Sequence, residues 1–410
     1  MSEIAVAARP ETVGMSGERL ARIDAWMARY VDGGKLPWAM AVVTRHGETA
    51  YRRCIGKADI ASGRAIEDDA ILRIYSMSKP ITAVAILMLY EEGLLQLDDP
   101  VSRFIPEFAD TRVVVGDHGG KLATEPLVRP ITVRHLLTHT SGLIYGFSGG
   151  GTLERLYSEH ATDFGPQDGT LEAVCRRLAA LPLDHQPGAR WTYGVSIDVL
   201  GRIVEVISGQ SFDRFLQQRI FAPLDMRDTF FELPPDRLDR YVPCYQRGPD
   251  DGLLPYDGTA DSVHAAGVTC FSGGGGLLST ARDYQRFAEM LRGGGALGDV
   301  RILGPRTVAF MASNHMPGGV DLAAMGQPVF SETSYEGIGF GLGVSVVLDP
   351  ARAQVLTSRG EYAWGGMAST AFWVDPEQDM SVLFMTQLVP SSSYPLRREL
   401  RILASQAIVA

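Results

Sequence analysis

The chain has 410 residues, is 45% hydrophobic and 21% charged, and carries a formal net charge of −10 at pH 7. That length allows two lobes, and an acidic chain with scattered Lys and Arg lacks the concentrated basic surface that nucleic acid requires. No uninterrupted apolar run approaches a bilayer span, and Met1 to Gly14 shows no basic segment followed by an apolar stretch, so no membrane partner and a cytoplasmic location are expected.

Ser16 to Tyr30 reads as an amphipathic helix capped by Ser16, with Leu20, Ile23, Trp26, Met27 and Tyr30 at helical spacing. Ala39–Thr44, the turn His46-Gly47 and Thr49–Cys54 read as a β-hairpin. Residues 80–95 form an apolar helix expected to be buried. From 96 to 300 helical patterns alternate with long Gly/Pro loops, with helices expected at 133–137, 171–181, 197–207, 212–220 and 281–291. Strands return at 341–348, 353–357, 369–374 and 380–387, and a helix over 396–409 follows. The cysteines Cys54, Cys175, Cys244 and Cys270 form no C-x-x-C and are expected to be reduced.

Strands at both ends with helices between predict an α+β fold. One antiparallel sheet, flanked by terminal helices, is built from residues 1–95 and 300–410. A mainly helical lobe spans 96–299, and a small-molecule site is expected in the cleft between the two.

The sharpest local signal is Ser76-Met77-Ser78-Lys79, an S-x-x-K followed by Pro80 and the apolar helix. Spacing of i,i+3 puts Ser76 and Lys79 on one helix face. A Ser hydroxyl is a weak nucleophile until a neighbour takes its proton, and a buried Lys can do so. Tyr193, just before the helical pattern from Ile197, is a candidate proton relay; Asp198 is expected to orient that helix or cap its first turn. Glu361 to Met367 contains Trp364-Gly365-Gly366, read as the glycine entry to a strand where backbone approaches substrate closely. The N–H groups of Ser76 and Met367 are the expected oxyanion hole. Gly146-Phe147-Ser148-Gly149-Gly150 matches the G-x-S-x-G nucleophile elbow. It lacks the strand before and the helix directly after that the elbow needs, so Ser148 is read as a decoy. His118 and His139 are alternative general bases, read as structural. No His/Cys cluster suggests a metal, and no cofactor is expected.

Together with Ile131–Leu143 and Gly274–Tyr284, these motifs resemble the serine β-lactamase and penicillin-binding protein superfamily, most closely its class C-like family VIII carboxylesterases. The resemblance implies a two-lobed β-lactamase-like fold, an acyl-enzyme on Ser76, and base and acid roles shared by Lys79 and Tyr193. The substrate-binding positions it suggests are Tyr145, Trp364, Gly365 and Gly366. Two departures bear on substrate. The class C Tyr-x-Asn motif has Val195 at its third position, and the K-T-G strand motif reads Trp364-Gly365-Gly366. The Asn and Lys that hold a β-lactam are therefore missing. Both losses favour a small uncharged ester as partner, with short acyl chains and weak β-lactam hydrolysis implied by the family. The alternatives are a β-lactamase or D-amino peptide hydrolase, acyl transfer to an alcohol, and a non-enzymatic binding protein.

Overall fold

In a computed structural model that describes residues 6, 9–326 and 335–410, the apolar segments at both ends of the chain assemble into one seven-stranded sheet. Its strands are β1 (Trp38–Arg45), β2 (Glu48–Gly56), β3 (Ile338–Phe340), β4 (Ser345–Val347), β5 (Tyr362–Gly365), β6 (Ala371–Asp375) and β7 (Met380–Met385). They lie in the order β3-β4-β5-β6-β7-β1-β2, every pairing antiparallel. β1, early in the chain, is zipped to β7 near its end, with Met40 opposite Met385 and Val42 opposite Leu383. The expected α+β architecture with a sheet drawn from both termini is the observed one.

Both faces of the central strands are covered, so β1 and β7 are buried along their whole length. Alternation sorts their side chains. Val42, Phe372, Leu383 and Met385 face the large core formed with the helical body. Ala41, Val43, Trp373, Val382 and Phe384 face a second core under the terminal helices α1 (Arg22–Val31) and α5 (Leu396–Ser405). Trp26 of α1 packs on Phe384 with ring centroids 5.4 Å apart. Its indole N–H donates to Glu399 of α5 at 2.6 Å. Each large apolar side chain removed from water here contributes about 1.5–3 kcal/mol.

The apolar helix α2 (Ser78–Glu91) runs through the first core, with twelve of its residues buried, from Ser78 to Leu89. On the same face of the sheet lie α3 (Ser196–Ser208) and α4 (Ala281–Arg292), whose Gln285 amide donates to Thr44 and Thr49 of the β1–β2 hairpin. Because α4 packs on the sheet, we propose a lobe boundary near residue 280 instead of 299.

Several local expectations need correction. The N-terminal helix is interrupted: Ser16 caps a short turn, Gly17–Leu20, and α1 starts afresh at Arg22. Residues 353–357 are no strand. Asp349 accepts from the N–H groups of Ala351 and Arg352, starting a helical turn at Pro350 that ends with Gln354 at φ +53°. The strand lies later, at β5, and its glycines sit at its exit, not its entry. The middle of the chain also holds β structure that the sequence reading lacked. Arg112–Asp117 pairs with Leu122–Pro126, and Cys244–Arg247 pairs with Leu253–Asp257 and Leu388–Val389. Part of the N-terminal stretch used for the leader reading, residues 1–5, 7 and 8, lies outside the described residues.

Candidate active site

Ser76 is held on a tight turn between a buried strand and α2. Leu72–Arg73 pairs with Leu278–Ser279, and the Arg73 N–H donates to the Gln387 side chain at 3.2 Å. Tyr75 then adopts φ +43°, a left-handed conformation that a bulky residue takes only under outside constraint. The 3₁₀ turn Tyr75–Met77 follows, and α2 begins at Ser78. Ser76 therefore precedes the helix by one turn residue, where the expectation had it opening the helix. Lys79, in the helix's first turn, still faces it.

Lys79 is fully buried, and its Nζ has three neutral partners: Ser76 Oγ at 3.2 Å, Tyr145 Oη at 2.9 Å and the Gly274 carbonyl at 2.6 Å. Among the described residues no carboxylate forms an ion pair with it. Tyr193 Oη lies 2.7 Å from Ser76 Oγ, and the Lys79 ammonium sits 4.7 Å from the Tyr193 ring centroid. Tyr193 O–H and Lys79 Nζ–H both donate to Ser76 Oγ, and Lys79 also donates to Tyr145 Oη and to the Gly274 carbonyl. The serine hydroxyl thus lies between an amine and a phenol, the two kinds of group that take up and return a proton. Burial, reinforced by the charge of Asp198, holds the Tyr145 phenol well above its ordinary pKa, so this ring is neutral.

The exit of β5 reaches the same point. A Cβ on Gly366 would lie 2.4 Å from the Ile74 carbonyl and 2.3 Å from Thr370 Oγ1, so only glycine lets the strand approach the nucleophile turn so closely. Ser76, Tyr145, Tyr193, Trp364, Gly366 and Met367 all line one cavity of about 540 Å³. Its walls are mostly apolar and rich in aromatic rings. Trp364 packs on Tyr193 with centroids 5.6 Å apart and fills the wall where the sequence lacks a Lys.

A sequence profile of the Beta-lactamase family matches residues 23–406. The chain belongs to the beta-lactamase family. Among curated proteins it is 36% identical over 384 residues to Esterase EstB of Burkholderia gladioli, covering 89% of this chain and 90% of that one. It is 31% identical over 387 residues to the monacolin J acid methylbutanoyltransferase of Aspergillus terreus, covering 89% of each. Among solved structures it superimposes with a TM-score of 0.81 and 27% identity on EstCE1, described as a hydrolase with promiscuous acyltransferase activity, over 95% of this chain and 99% of that one.

Other candidates lie apart from the family's cavity or behind its wall. Ser148 sits on an exposed 3₁₀ turn, its Oγ donating to the Tyr145 carbonyl at 2.7 Å, with no strand before it. His118 lies at the exposed turn of the 112–126 hairpin. His139 is buried behind Tyr193, ring centroids 4.8 Å apart, and burial keeps it neutral by holding its pKa well below the ordinary value. The four cysteines are unpaired.

The sequence reading used Gly274–Tyr284 as a family motif but gave the loop 272–277 no role at the site. Thr82 Oγ1 on α2 donates to Gly273 O at 2.8 Å, and the Leu277 N–H donates to Ser78 Oγ at 3.2 Å. The signal was available: four consecutive glycines, Gly273–Gly276, ahead of a capped helix. Asp198 differs from its expected role as well. It offers α3 no cap; it accepts from Ser272 Oγ at 2.5 Å and Gly274 N–H at 2.8 Å.

Proposed function

We propose that this protein hydrolyses carboxylic esters through an acyl-enzyme on Ser76, with Lys79 and Tyr193 handling its proton. The observation that carries the reading is the pair of contacts on one hydroxyl: Ser76 Oγ has Lys79 Nζ at 3.2 Å and Tyr193 Oη at 2.7 Å, in the wall of the cavity. In acylation Ser76 Oγ attacks the ester carbonyl while its proton passes to Lys79. The carbonyl oxygen becomes an oxyanion facing the N–H groups of Ser76 and Met367, each donor being worth about 2.7–4 kcal/mol. The leaving alkoxide takes a proton from Tyr193, and the proton that Lys79 received then restores the phenol. Water then repeats the sequence on the acyl-enzyme and restores the serine.

The aromatic cavity and the absence of a strand Lys at Trp364 support an uncharged ester, with Tyr145, Trp364, Gly365 and Gly366 forming its walls. Turnover of β-lactams is weak in this reading, because nothing replaces the missing Lys and Asn. Acyl transfer to an alcohol is a second reading, favoured by a specific observation. At about 540 Å³ the cavity exceeds what a short-chain ester fills and leaves room for an acceptor beside the acyl group. The kinship with the Aspergillus terreus methylbutanoyltransferase is in line with it. The four free thiols fit a reducing, cytoplasmic setting. Among the described residues no helix is long and apolar enough to cross a membrane.

The test is intact-mass analysis after treatment with a p-nitrophenyl alkylphosphonate, followed by peptide mapping. One phosphonyl group on Ser76 is the expected result. Labelling at Ser148, or none, overturns the reading.

A further inference from the structure

A buried carboxylate stands one residue away from the site's lysine. Asp198, in the first turn of α3, is 1% exposed. Its Oδ1 accepts from Ser272 Oγ at 2.5 Å and from Gly274 N–H at 2.8 Å. The carbonyl of that same Gly274 accepts from Lys79 Nζ at 2.6 Å. Gly274 is thus gripped on its N–H side by Asp198 and offers its C=O side to Lys79. A Cβ at this position would meet Asp198 Oδ2 at 2.2 Å, so no other residue fits between them. Asp198 Oδ2 itself is buried and makes no hydrogen bond among the described residues.

A buried carboxylate with one oxygen left without a hydrogen bond is costly to keep in such a place. As a loop anchor alone it is more than is needed, since Thr82 and Ser78 already tie the loop 272–277 to α2. Its charge faces a consistent set of groups. Lys79 on α2 is the one cation among those that act on it; Tyr145, Cys175 and Cys270, from three other segments, are neutral groups whose ionisation its charge opposes. Burial raises the Asp198 carboxyl above its ordinary pKa, and Lys79, Ser272 and Gly274 act the other way.

We infer that Asp198 is a positioning residue for Lys79: it fixes Gly274, whose carbonyl accepts from Lys79 Nζ and so holds the amine against Ser76. The inference rests on the proposed role of Ser76 and Lys79. The geometry gives it two separable parts. Asn at 198 keeps an acceptor for Ser272 and Gly274 but removes the charge. Ala removes both.

The experiment measures the rate of Ser76 phosphonylation against pH by mass spectrometry, with near-ultraviolet circular dichroism to verify folding. For Asp198→Asn, which keeps the acceptor, the plateau rate is expected to stay within a few-fold of the wild type's. For Asp198→Ala the plateau is expected to fall at least tenfold, with the KM for p-nitrophenyl butyrate little changed. A folded Asp198→Ala enzyme that labels Ser76 at the wild-type rate overturns the inference and leaves the esterase reading intact. Absence of label on Ser76 in the wild type overturns the esterase reading instead.

Discussion

Ser76 Oγ is shared by an amine and a phenol, and the two make different demands on substitution. Ser76→Ala is expected to abolish turnover of p-nitrophenyl butyrate, while Ser148→Ala, whose hydroxyl donates to a local carbonyl at 2.7 Å, retains most of it. Lys79→Ala and Tyr193→Phe are each expected to lower kcat by about 10²–10⁴-fold, the usual range for a positioned proton donor or acceptor. Steady-state kinetics on folded variants checks all four; a Tyr193→Phe enzyme with wild-type kcat would remove the phenol from the proton path. These residues were legible because their chemistry is local. S-x-x-K encodes its own geometry, and Tyr193 precedes an obvious helix. Gly274 was not legible, since a backbone carbonyl acquires its partner only through tertiary packing. Asp198 could be seen as a helix residue, but its bonds to Ser272 and Gly274 cross 74 and 76 positions of sequence.

At the level of elements, the site depends on the end of β5 touching the turn before α2. Gly366→Ala places a methyl group 2.4 Å from the Ile74 carbonyl, which must displace either the strand exit or the nucleophile turn. A kcat loss of at least tenfold, with circular dichroism unchanged, is the expected outcome; full activity would show that the turn tolerates the displacement. The flanking helices test differently. Glu399 accepts from Trp26 Nε1 at 2.6 Å and from Tyr30 Oη at 2.9 Å, joining α5 to α1. Glu399→Ala leaves both donors without that acceptor and is expected to lower stability by about 1–3 kcal/mol in urea unfolding, leaving kcat unchanged. Long periodic helices such as α2 and α4 were readable from apolar spacing. The strand at 353–357 was misread because Val355 and Thr357 carry β propensity while Asp349-Pro350 starts a helical turn ahead of them. The short hairpin at 112–126 was missed because Val113-Val114-Val115 is an unbroken apolar run in a half-exposed strand, with no apolar/polar alternation to detect.

On the scale of the molecule, buried histidines draw stability down in acid, while a buried carboxylate such as Asp283, raised to about 6, acts the other way. Burial pushes His135 and His264 down to about 4, helped by neighbouring arginines, among them Arg129 for the first and Arg73 for the second. Both rings stay neutral in the folded protein, whereas unfolded His protonates near 6.5. Between pH 6.5 and about 4 the unfolded chain therefore binds more protons. Stability is fully present above pH 6.5 and falls through that window, by up to about 1.4 kcal/mol per pH unit for each ring. Across urea midpoints measured from pH 7.5 to 4.5, His264→Gln should lose less stability in acid than the wild type; an identical pH dependence would mean that ring is not held neutral.

The antiparallel seam between β1 and β7 has a consequence for biogenesis. During translation the first hairpin leaves the ribosome roughly 330 residues before the strand that flanks β1 on its other side. At ordinary elongation rates of about 5–20 residues per second, that edge waits on the order of 20–70 s. For that interval an apolar ribbon is open to wrong partners, which makes nascent-chain holding by a chaperone a requirement for good yield. Moving the first 60 residues to the far end of the gene, so that β7 and β1 emerge together, should shorten the wait and reduce aggregation during expression.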